Sequence, residues 1–134
     1  MDQAAAPDEG RVRSFVLDTG ALIALERGKR RMIEIAKTAR IDGIPVFVPS
    51  ICIAEWWRGR TDLREKILAA MYVVHDDALM RLAGEALVQV PKATTIDAVV
   101  MATAAWKGAL VYTSDVDDLE RLRRVFPTVR VLGV

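Results

Sequence analysis

The chain has 134 residues, the size of one domain, and 52% of them are hydrophobic, with a mean hydropathy of +0.21. The net charge is +1, whereas a typical nucleic-acid-binding module is strongly basic. Binding to a polyanion would therefore need a local basic patch. The single cysteine, Cys52, excludes an internal disulfide and a cysteine-based zinc site, and it suits a cytoplasmic protein. No charge-free stretch approaches the length of about 18 residues that predicts a membrane span.

The first half of the chain predicts two strands and four helices after a short extension. Residues 1–12 contain no apolar core segment and indicate a flexible N-terminal extension, followed by one domain over residues 13–134. The apolar run at residues 14–17 predicts a buried strand, and the helix after it is expected to end at Gly28. The rest of this half predicts a helix before Gly43, a strand in IPVFVPS, a helix that begins at Pro49-Ser50 and a helix over residues 62–70.

The second half continues the alternation of strands and helices. Residues 72–75 predict a strand, and residues 78–90 predict an amphipathic helix with a stripe formed by Leu79, Leu82, Ala83, Ala86, Leu87 and Val90. The segment IDAVVMATAAWKG predicts a helix that is apolar nearly all round, which Thr94 or Thr95 can cap. ALVYTS, DVDDLERLRRVF and VRVLGV predict a strand, an amphipathic helix and a closing strand. The whole pattern predicts an α/β domain whose parallel sheet is covered on both faces.

Four acidic residues occupy points at which a predicted strand is followed by a helix: Asp18, Glu55, Asp97 and Asp115. In an α/β domain such points gather at one edge of the sheet, where ligands usually bind. Each acid alone has a structural explanation, because carboxylates cap helices and suit helix N-termini. Together they predict a metal site, since crowded carboxylates repel unless a cation neutralises them. Oxygen donors without clustered His or Cys favour Mg²⁺ or Mn²⁺, which can activate water and hold a phosphate.

Other catalytic signatures are missing from the sequence. It contains no phosphate-binding P-loop, no GxGxxG dinucleotide motif and no GxSxG nucleophile motif. The only histidine, His75, ends a predicted strand and is expected to be structural. Cys52 lies between Ile51 and Ile53, which predicts a buried structural thiol.

Three segments resemble the PIN-domain ribonucleases of the VapC toxin type, from type II toxin–antitoxin systems: VLDTGALIAL, PSICIAEWWRG and TTIDAVVMATAAWKGALVYTSDVDDL. The resemblance covers nearly the whole chain from Ser14. It implies a three-layer α/β/α sandwich around a parallel sheet. It also implies an Mg²⁺- or Mn²⁺-dependent endoribonuclease that cleaves RNA, such as tRNA. The family resemblance further implies a homodimer and a cognate VapB-like antitoxin that silences the enzyme.

The same resemblance implies roles for the acids. Asp18, Glu55, Asp97 and Asp115 match the catalytic quartet of the family. Asp18, Asp97 and Asp115 are expected to bind the metal, and Glu55 is expected to orient or deprotonate the attacking water.

Further residues near the motifs are candidates for substrate positioning. Thr113 matches a hydroxyl that positions water or phosphate in the family. The two additional acids Asp117 and Asp118 leave open which of them approaches the metal. Arg27 and Arg58 belong to basic clusters at residues 27–31 and 58–60 that could hold RNA phosphates at the rim of an acidic cleft.

Trp56 and Trp57 could stack on unpaired bases, although a place in the core or at an interface is also expected for them. Two alternative functions stay open at this point. One is a phosphatase-like domain with Asp18 as the nucleophile, which is weakened because Gly20 stands where such enzymes have a second acid. The other is a non-catalytic PIN-like binding module.

Overall fold

A computed structural model describes residues 14–134; the extension predicted over residues 1–12 lies outside the described residues. Within residues 14–134 the chain forms five strands: β1 (Phe15–Leu17), β2 (Val46–Pro49), β3 (Tyr72–Val74), β4 (Leu110–Thr113) and β5 (Arg130–Gly133). All neighbouring strands are parallel, and they form one sheet in the order β3-β2-β1-β4-β5. The predicted parallel sheet is confirmed.

The strands alternate with seven α-helices and one 3-10 helix in the described part of the chain. They are α1 (Thr19–Glu26), α2 (Arg30–Asp42), α3 (Ser50–Trp56), α4 (Asp62–Ala69), α5 (Asp77–Gln89), α6 (Thr95–Lys107), α7 (Val116–Glu120) and the 3-10 helix Arg121–Arg124. Helix α1 contacts β1, β4 and the helices α2, α3 and α4, whereas α6 contacts β1, β2, β4 and the helices α5 and α7. Helices thus cover the sheet in two layers, which is the expected three-layer α/β/α sandwich.

The centre of the sheet is buried because its strands are apolar throughout. Every residue of β1 and β4 is buried, as expected for parallel strands covered by helices on both faces. Helix α6 is buried continuously from Ala98 to Ala104, so the prediction of a helix enclosed between two surfaces is confirmed. The hydroxyl of Thr94 caps this helix and accepts a hydrogen bond from the backbone N–H of Asp97 at 3.1 Å.

Two expectations about the helices need correction. Leu82 was expected on the buried stripe of α5 but is exposed, because it lies about 60° around the helix from the line through Leu79, Ala83 and Ala86. The amphipathic helix expected over DVDDLERLRRVF is short, since α7 ends at Glu120 and a 3-10 helix follows. Pro127 stops the helical segment as a whole, because proline disfavours helical geometry in the residue before it, but nothing in the structure explains the change to a 3-10 helix at Arg121.

The order of the strands decides where the polar residues gather. From β1 the chain moves to β2 on one side of the sheet, while β4 lies on the other side of β1. This is a topological switch point, at which the loops after β1 and β4 separate and leave a crevice. Leu17 pairs with Tyr112 in the register of these two strands, so the residues that follow them, Asp18 and Thr113, are neighbours. In the described part of the chain no helix is long and apolar enough to cross a membrane.

Candidate active site

Asp18 is the anchored acid of the crevice. It follows β1, occupies the N-cap position of α1 and is only 7% exposed. Its Oδ1 accepts a hydrogen bond from the backbone N–H of Ala21 at 2.9 Å, and its Oδ2 accepts one from the hydroxyl of Thr113 at 2.5 Å. The structural role of a helix cap is therefore present. It does not exclude a chemical role, because each carboxylate oxygen has a second lone pair.

Thr113 connects two parts of the site. Its side chain is fully buried at the end of β4, and its hydroxyl oxygen accepts a hydrogen bond from the backbone N–H of Asp115 at 2.8 Å while donating to Asp18. The hydroxyl therefore joins the loop after β1 to the loop after β4. That it also positions water or phosphate stays a prediction.

The other three acids of the quartet lie on helices α3 and α6 and at the start of α7. Glu55, on α3, is exposed, and its Oε1 accepts a hydrogen bond from the hydroxyl of Thr19, the residue after Asp18, at 2.5 Å. Asp97 lies in the first turn of α6 and is half-buried. Asp115 occupies the N-cap position of α7 but is exposed and makes no side-chain capping hydrogen bond there. Its carboxylate is thus not used as a helix cap.

Burial and mutual repulsion couple these acids electrostatically. Burial raises the pKa of Asp18; the hydrogen bonds from Thr113 and Ala21 oppose this rise, and the charges of Asp97 and Asp115 add to it. Burial also raises the pKa of Asp97, and there the charges of Asp118, Asp115 and Glu55 add to the rise. The four predicted acids therefore act on one another, as a shared crevice requires.

Asp118 is a fifth acid of this cluster. The sequence left open whether Asp117 or Asp118 approaches the site, and among the like charges that raise the pKa of Asp97 that of Asp118 is the largest. Asp118 follows Asp115 by three residues, which places both on one face of a helical turn. The spacing i, i+3 was the signal in the sequence that favours Asp118. Its carboxylate also pairs with Arg121 at 3.0 Å.

The donor set suits a hard divalent cation in chemistry and charge. It offers only carboxylate and hydroxyl oxygens, and a cation would relieve the repulsion that raises the pKa of Asp18 and Asp97. The site is open rather than closed around an ion: no three His, Cys, Asp or Glu side chains in residues 14–134 lie close enough together to hold a metal as they stand. The acids would have to come closer together to complete a ligand shell.

Gly20 allows the loops of the site to approach each other. A Cβ atom at this position would lie 1.9 Å from the Oγ and 2.9 Å from the Cβ of Ser114, so only glycine permits the present packing of α1 against the loop after β4. The phosphatase-like alternative would require a carboxylate here, and the space does not admit one.

The two arginines predicted to position the substrate, Arg27 and Arg58, follow helices α1 and α3. Arg27 follows the last residue of α1, about 13 Å along the helix axis from Asp18, and its side chain is exposed. Arg58 is exposed and donates to the carbonyl oxygens of Ala54 and Trp57 at the end of α3. No contact with the acids is seen for either arginine, and their roles in substrate binding stay predictions.

The two adjacent tryptophans differ in their surroundings. Trp56 is buried, and its Nε1 donates a hydrogen bond to Oε1 of Glu26 at 2.7 Å, so this ring belongs to the core. The half-buried Trp57 meets Trp56 edge to face, with 5.8 Å between the ring centroids. Glu26 also pairs with Arg64 at 2.9 Å, which joins α1 to α4.

The remaining nucleophilic candidates lie outside the acidic cluster. Cys52 is buried, and this burial raises its pKa to about 12, so it is the structural thiol that the sequence predicts. His75 follows β3 at the surface, with its Nδ1 3.1 Å from the hydroxyl of Ser50.

The fold and the crevice together define the class of protein: an α/β/α domain with an acidic site at its topological switch point. The sequence matches no protein-family model and no curated protein. Among solved structures, the chain is similar to VapBC2 from Rickettsia felis bound to a DNA fragment from its promoter, with 12% identity and a TM-score of 0.70 over 90% of this chain and 98% of that chain.

Two further structures show the same likeness. DNA-bound VapBC from Salmonella typhimurium is 18% identical, with a TM-score of 0.69 over 90% of this chain and 97% of that chain. A toxin–antitoxin complex from Klebsiella pneumoniae is 19% identical, with a TM-score of 0.59 over 89% of this chain and 96% of that chain. Identities this low show a common fold. The PIN-like α/β/α fold of VapC-type proteins, which the sequence motifs predicted, is therefore confirmed for this chain.

Proposed function

We propose that this protein is a metal-dependent endoribonuclease of the cytoplasm, and that it is the toxin of a toxin–antitoxin pair. The observation that carries the proposal is the group of mutually repelling carboxylates at the switch point of a VapC-like fold, with Asp18 held in place while largely buried. Proteins do not keep several buried or half-buried acids together without a compensating interaction, and a divalent cation supplies one. The similarity to solved toxin–antitoxin complexes supports the biological role.

Asp18, Asp97 and Asp115 would hold Mg²⁺ or Mn²⁺. When bound there, such an ion lowers the pKa of a coordinated water and neutralises charge on the scissile phosphate. Asp18 needs no reorganisation for this role because Ala21 and Thr113 already fix its carboxylate. Glu55 is exposed beside it and is oriented by the hydroxyl of Thr19, so we assign to Glu55 the role of accepting the proton of the attacking water.

An antitoxin would bind an apolar groove on this chain. The groove has a volume of about 720 Å³ and lies between α2 and α4, with the apolar side chains of Leu25, Met32 and Ile67 in its walls. Its remaining lining includes the cations Lys37, Arg40 and Lys66. A partner segment with an apolar face and acidic flanks complements such a groove.

A second copy of the chain is the other expected partner. Tyr72 and Val73 are exposed on β3, which is an edge strand, and Trp106 is exposed at the end of α6. Large apolar side chains on an exposed edge are typical of a surface that another chain covers. These residues support the proposed homodimer.

The test of the catalytic proposal is cleavage of RNA by the purified protein. We expect single-stranded RNA or tRNA to be cut in the presence of Mn²⁺ or Mg²⁺ and to stay intact with EDTA. Asp97→Asn should reduce the rate by at least about a hundredfold, because it removes a proposed metal ligand without changing the shape of the side chain. Asp117→Asn is the matched control, since Asp117 is an exposed neighbour on α7 that is expected to leave the rate unchanged.

Two results would contradict the proposal. One is an absence of cleavage with either ion on any RNA tested, and the other is an Asp97→Asn variant as active as the wild type. Calorimetric titration with Mn²⁺ distinguishes the nuclease from the remaining alternative, a non-catalytic binding module. If the protein binds Mn²⁺, loses this binding in Asp97→Asn and cleaves no RNA, the binding module is favoured.

A further inference from the structure

Arg31 is held at the edge of the sheet by a contact between distant parts of the chain. It lies in the first turn of α2, and its Nε donates a hydrogen bond to the carbonyl oxygen of Gly133, the last residue of β5, at 2.9 Å. Gly133 pairs with Thr113 in the parallel register of β4 and β5. The backbone N–H of Val134 donates to the carbonyl oxygen of Thr113, so the carbonyl of Gly133 points away from β4. It therefore anchors the guanidinium of Arg31 on the outer side of the edge strand β5.

The backbone that anchors Arg31 also packs against the start of α7. A Cβ atom at Gly133 would lie 3.1 Å from Cγ2 of Val116, the residue after Asp115. Gly133 thus lies between Arg31 and the start of α7. Arg31 is exposed, and none of the ion pairs among residues 14–134 includes it. Its Nε is used by Gly133, and no side chain or carbonyl among residues 14–134 accepts a hydrogen bond from its two terminal amino groups.

Arg31 also stands at a groove that leads away from the crevice. The groove, of about 560 Å³, runs along α2 past Arg31, Glu34 and Thr38, and the rings of Phe15 and Tyr112 form its floor. These rings are buried and meet edge to face, with 5.1 Å between their centroids. Arg30 lines the same groove, so the side chains at its rim carry two positive charges and one negative charge.

The acidic cluster makes a fixed cation at this position useful. Several carboxylates repel the phosphates of an RNA strand, and a metal compensates only the phosphate that it contacts. An arginine whose orientation is already set loses little conformational entropy when it binds a phosphate oxygen pair. The other cationic candidates at the rim, Arg27 and Arg58, are not anchored towards the crevice.

We propose that Arg31, oriented by the carbonyl of Gly133, binds a backbone phosphate of the RNA at a distance from the scissile one, and that the strand continues along the groove beside α2. This inference rests on the proposed ribonuclease function. It makes Arg31 a substrate-positioning residue that takes no part in bond cleavage. The strand would then cross the crevice from Glu55 towards β5.

The experiment compares Arg31→Ala with the matched control Arg130→Ala in cleavage of a single-stranded RNA with Mn²⁺. Arg130 is exposed like Arg31, but it lies on β5 at the other end of the strand, about 10 Å from Gly133. For Arg31→Ala we expect KM to rise about five- to tenfold with kcat unchanged. The slope of log(kcat/KM) against log of the salt concentration should fall by about 0.7, the value for one phosphate contact on a single strand. Arg130→Ala should change KM less than about twofold.

Two conservative variants keep the test decisive if Arg31→Ala is poorly folded. Arg31→Lys retains the charge and should restore the salt slope, while its KM stays raised because lysine lacks the planar fork that binds two phosphate oxygens. Arg31→Gln retains a donor without the charge and should behave like Arg31→Ala. Thermal unfolding of each variant is measured alongside.

The outcomes separate this inference from the function on which it rests. If the wild type cleaves RNA but Arg31→Ala equals Arg130→Ala in KM and salt slope, the phosphate contact is wrong and the ribonuclease proposal stands. A fall in kcat with an unchanged salt slope also overturns it, because that result indicates a structural effect on the acids. If the wild type neither binds nor cleaves RNA, both proposals fall together.

Discussion

The hydroxyl of Thr113 offers the sharpest test of how the site is held together. Thr113→Val removes this hydroxyl and keeps the branched shape of a side chain that is fully buried. Two hydrogen bonds are lost: the one donated to Oδ2 of Asp18 and the one accepted from the N–H of Asp115. We expect the variant to fold but to be less stable and less active than the wild type.

The size of the effect follows from these two bonds. A hydrogen bond to an ionised acceptor contributes about 1.5–3 kcal/mol, and a backbone N–H that loses its partner near the surface costs about 1 kcal/mol. Valine leaves almost no cavity, so no further packing loss is expected. The free energy of unfolding at pH 7 should therefore fall by about 2.5–4 kcal/mol, which lowers Tm by roughly 10 °C in a domain of this size.

The dependence of the free energy of unfolding on pH shows the sign of the contribution from the charge of Asp18. Burial raises the pKa of Asp18 above its ordinary value of 3.8, and the bond from Thr113 opposes this rise. A carboxyl group with a raised pKa stabilises the fold below pH 3.8, where it is protonated, and this contribution is lost as the pH rises through its pKa in the folded protein. Thr113→Val should raise the pKa of Asp18 further, so the variant loses more stability than the wild type as the pH rises. The difference between variant and wild type should thus be largest near pH 7 and shrink in acid.

Urea unfolding followed by tryptophan fluorescence, from pH 7.5 to the lowest pH at which the wild type stays folded, measures this difference. Thr103→Val is the matched control: Thr103 is equally buried, but its hydroxyl donates to the neutral carbonyl of Val99 at 2.7 Å. Its effect should be below about 1 kcal/mol and independent of pH. Thr113→Ser should recover most of the stability. If Thr113→Val costs no more than Thr103→Val at pH 7, the hydroxyl does not hold an ionised Asp18.

Three other outcomes are expected. Asp97→Asn should raise the free energy of unfolding by about 0.5–1 kcal/mol at pH 7, because burial and the charge of Asp118 raise the pKa of Asp97. The gain should vanish in acid, and urea unfolding at pH 7 and at acid pH measures it. Gly20→Ala should destabilise the domain by about 1–3 kcal/mol in thermal unfolding, and Ser114→Gly in the same chain should restore part of the loss. Cys52, with its pKa raised to about 12, should resist iodoacetamide at pH 8 in the folded protein and react in urea, as measured by mass spectrometry.

Each of these outcomes can fail in a defined way. A loss of stability in Asp97→Asn at pH 7 would show that this carboxylate is stabilising and that repulsion does not dominate the cluster. Equal stability of Gly20→Ala and wild type would show that Ser114 moves aside freely. Rapid alkylation of Cys52 under native conditions would show that α3 opens easily.

Features set by neighbouring residues could be predicted from the sequence. The strand that ends before Asp18 and the cap formed by Thr94 follow from apolar runs and capping rules that act within about four residues. The buried stretch of α6 likewise follows from its composition. The early end of α7 was missed, because the amphipathic pattern continues to Phe126 beyond the point at which the α-helix ends.

By itself, the sequence determined the alternation of strands and helices. It also determined that the acids lie where a strand is followed by a helix, and the metal-binding chemistry that these acids imply together. Only the tertiary structure decided which side chains support them. The bond from Thr113 to Asp18 spans 95 residues and that from Arg31 to Gly133 spans 102, and both depend on which strands become neighbours at the centre and edge of the sheet. Strand order is set by the burial of the whole core, and no local pattern of residues encodes it.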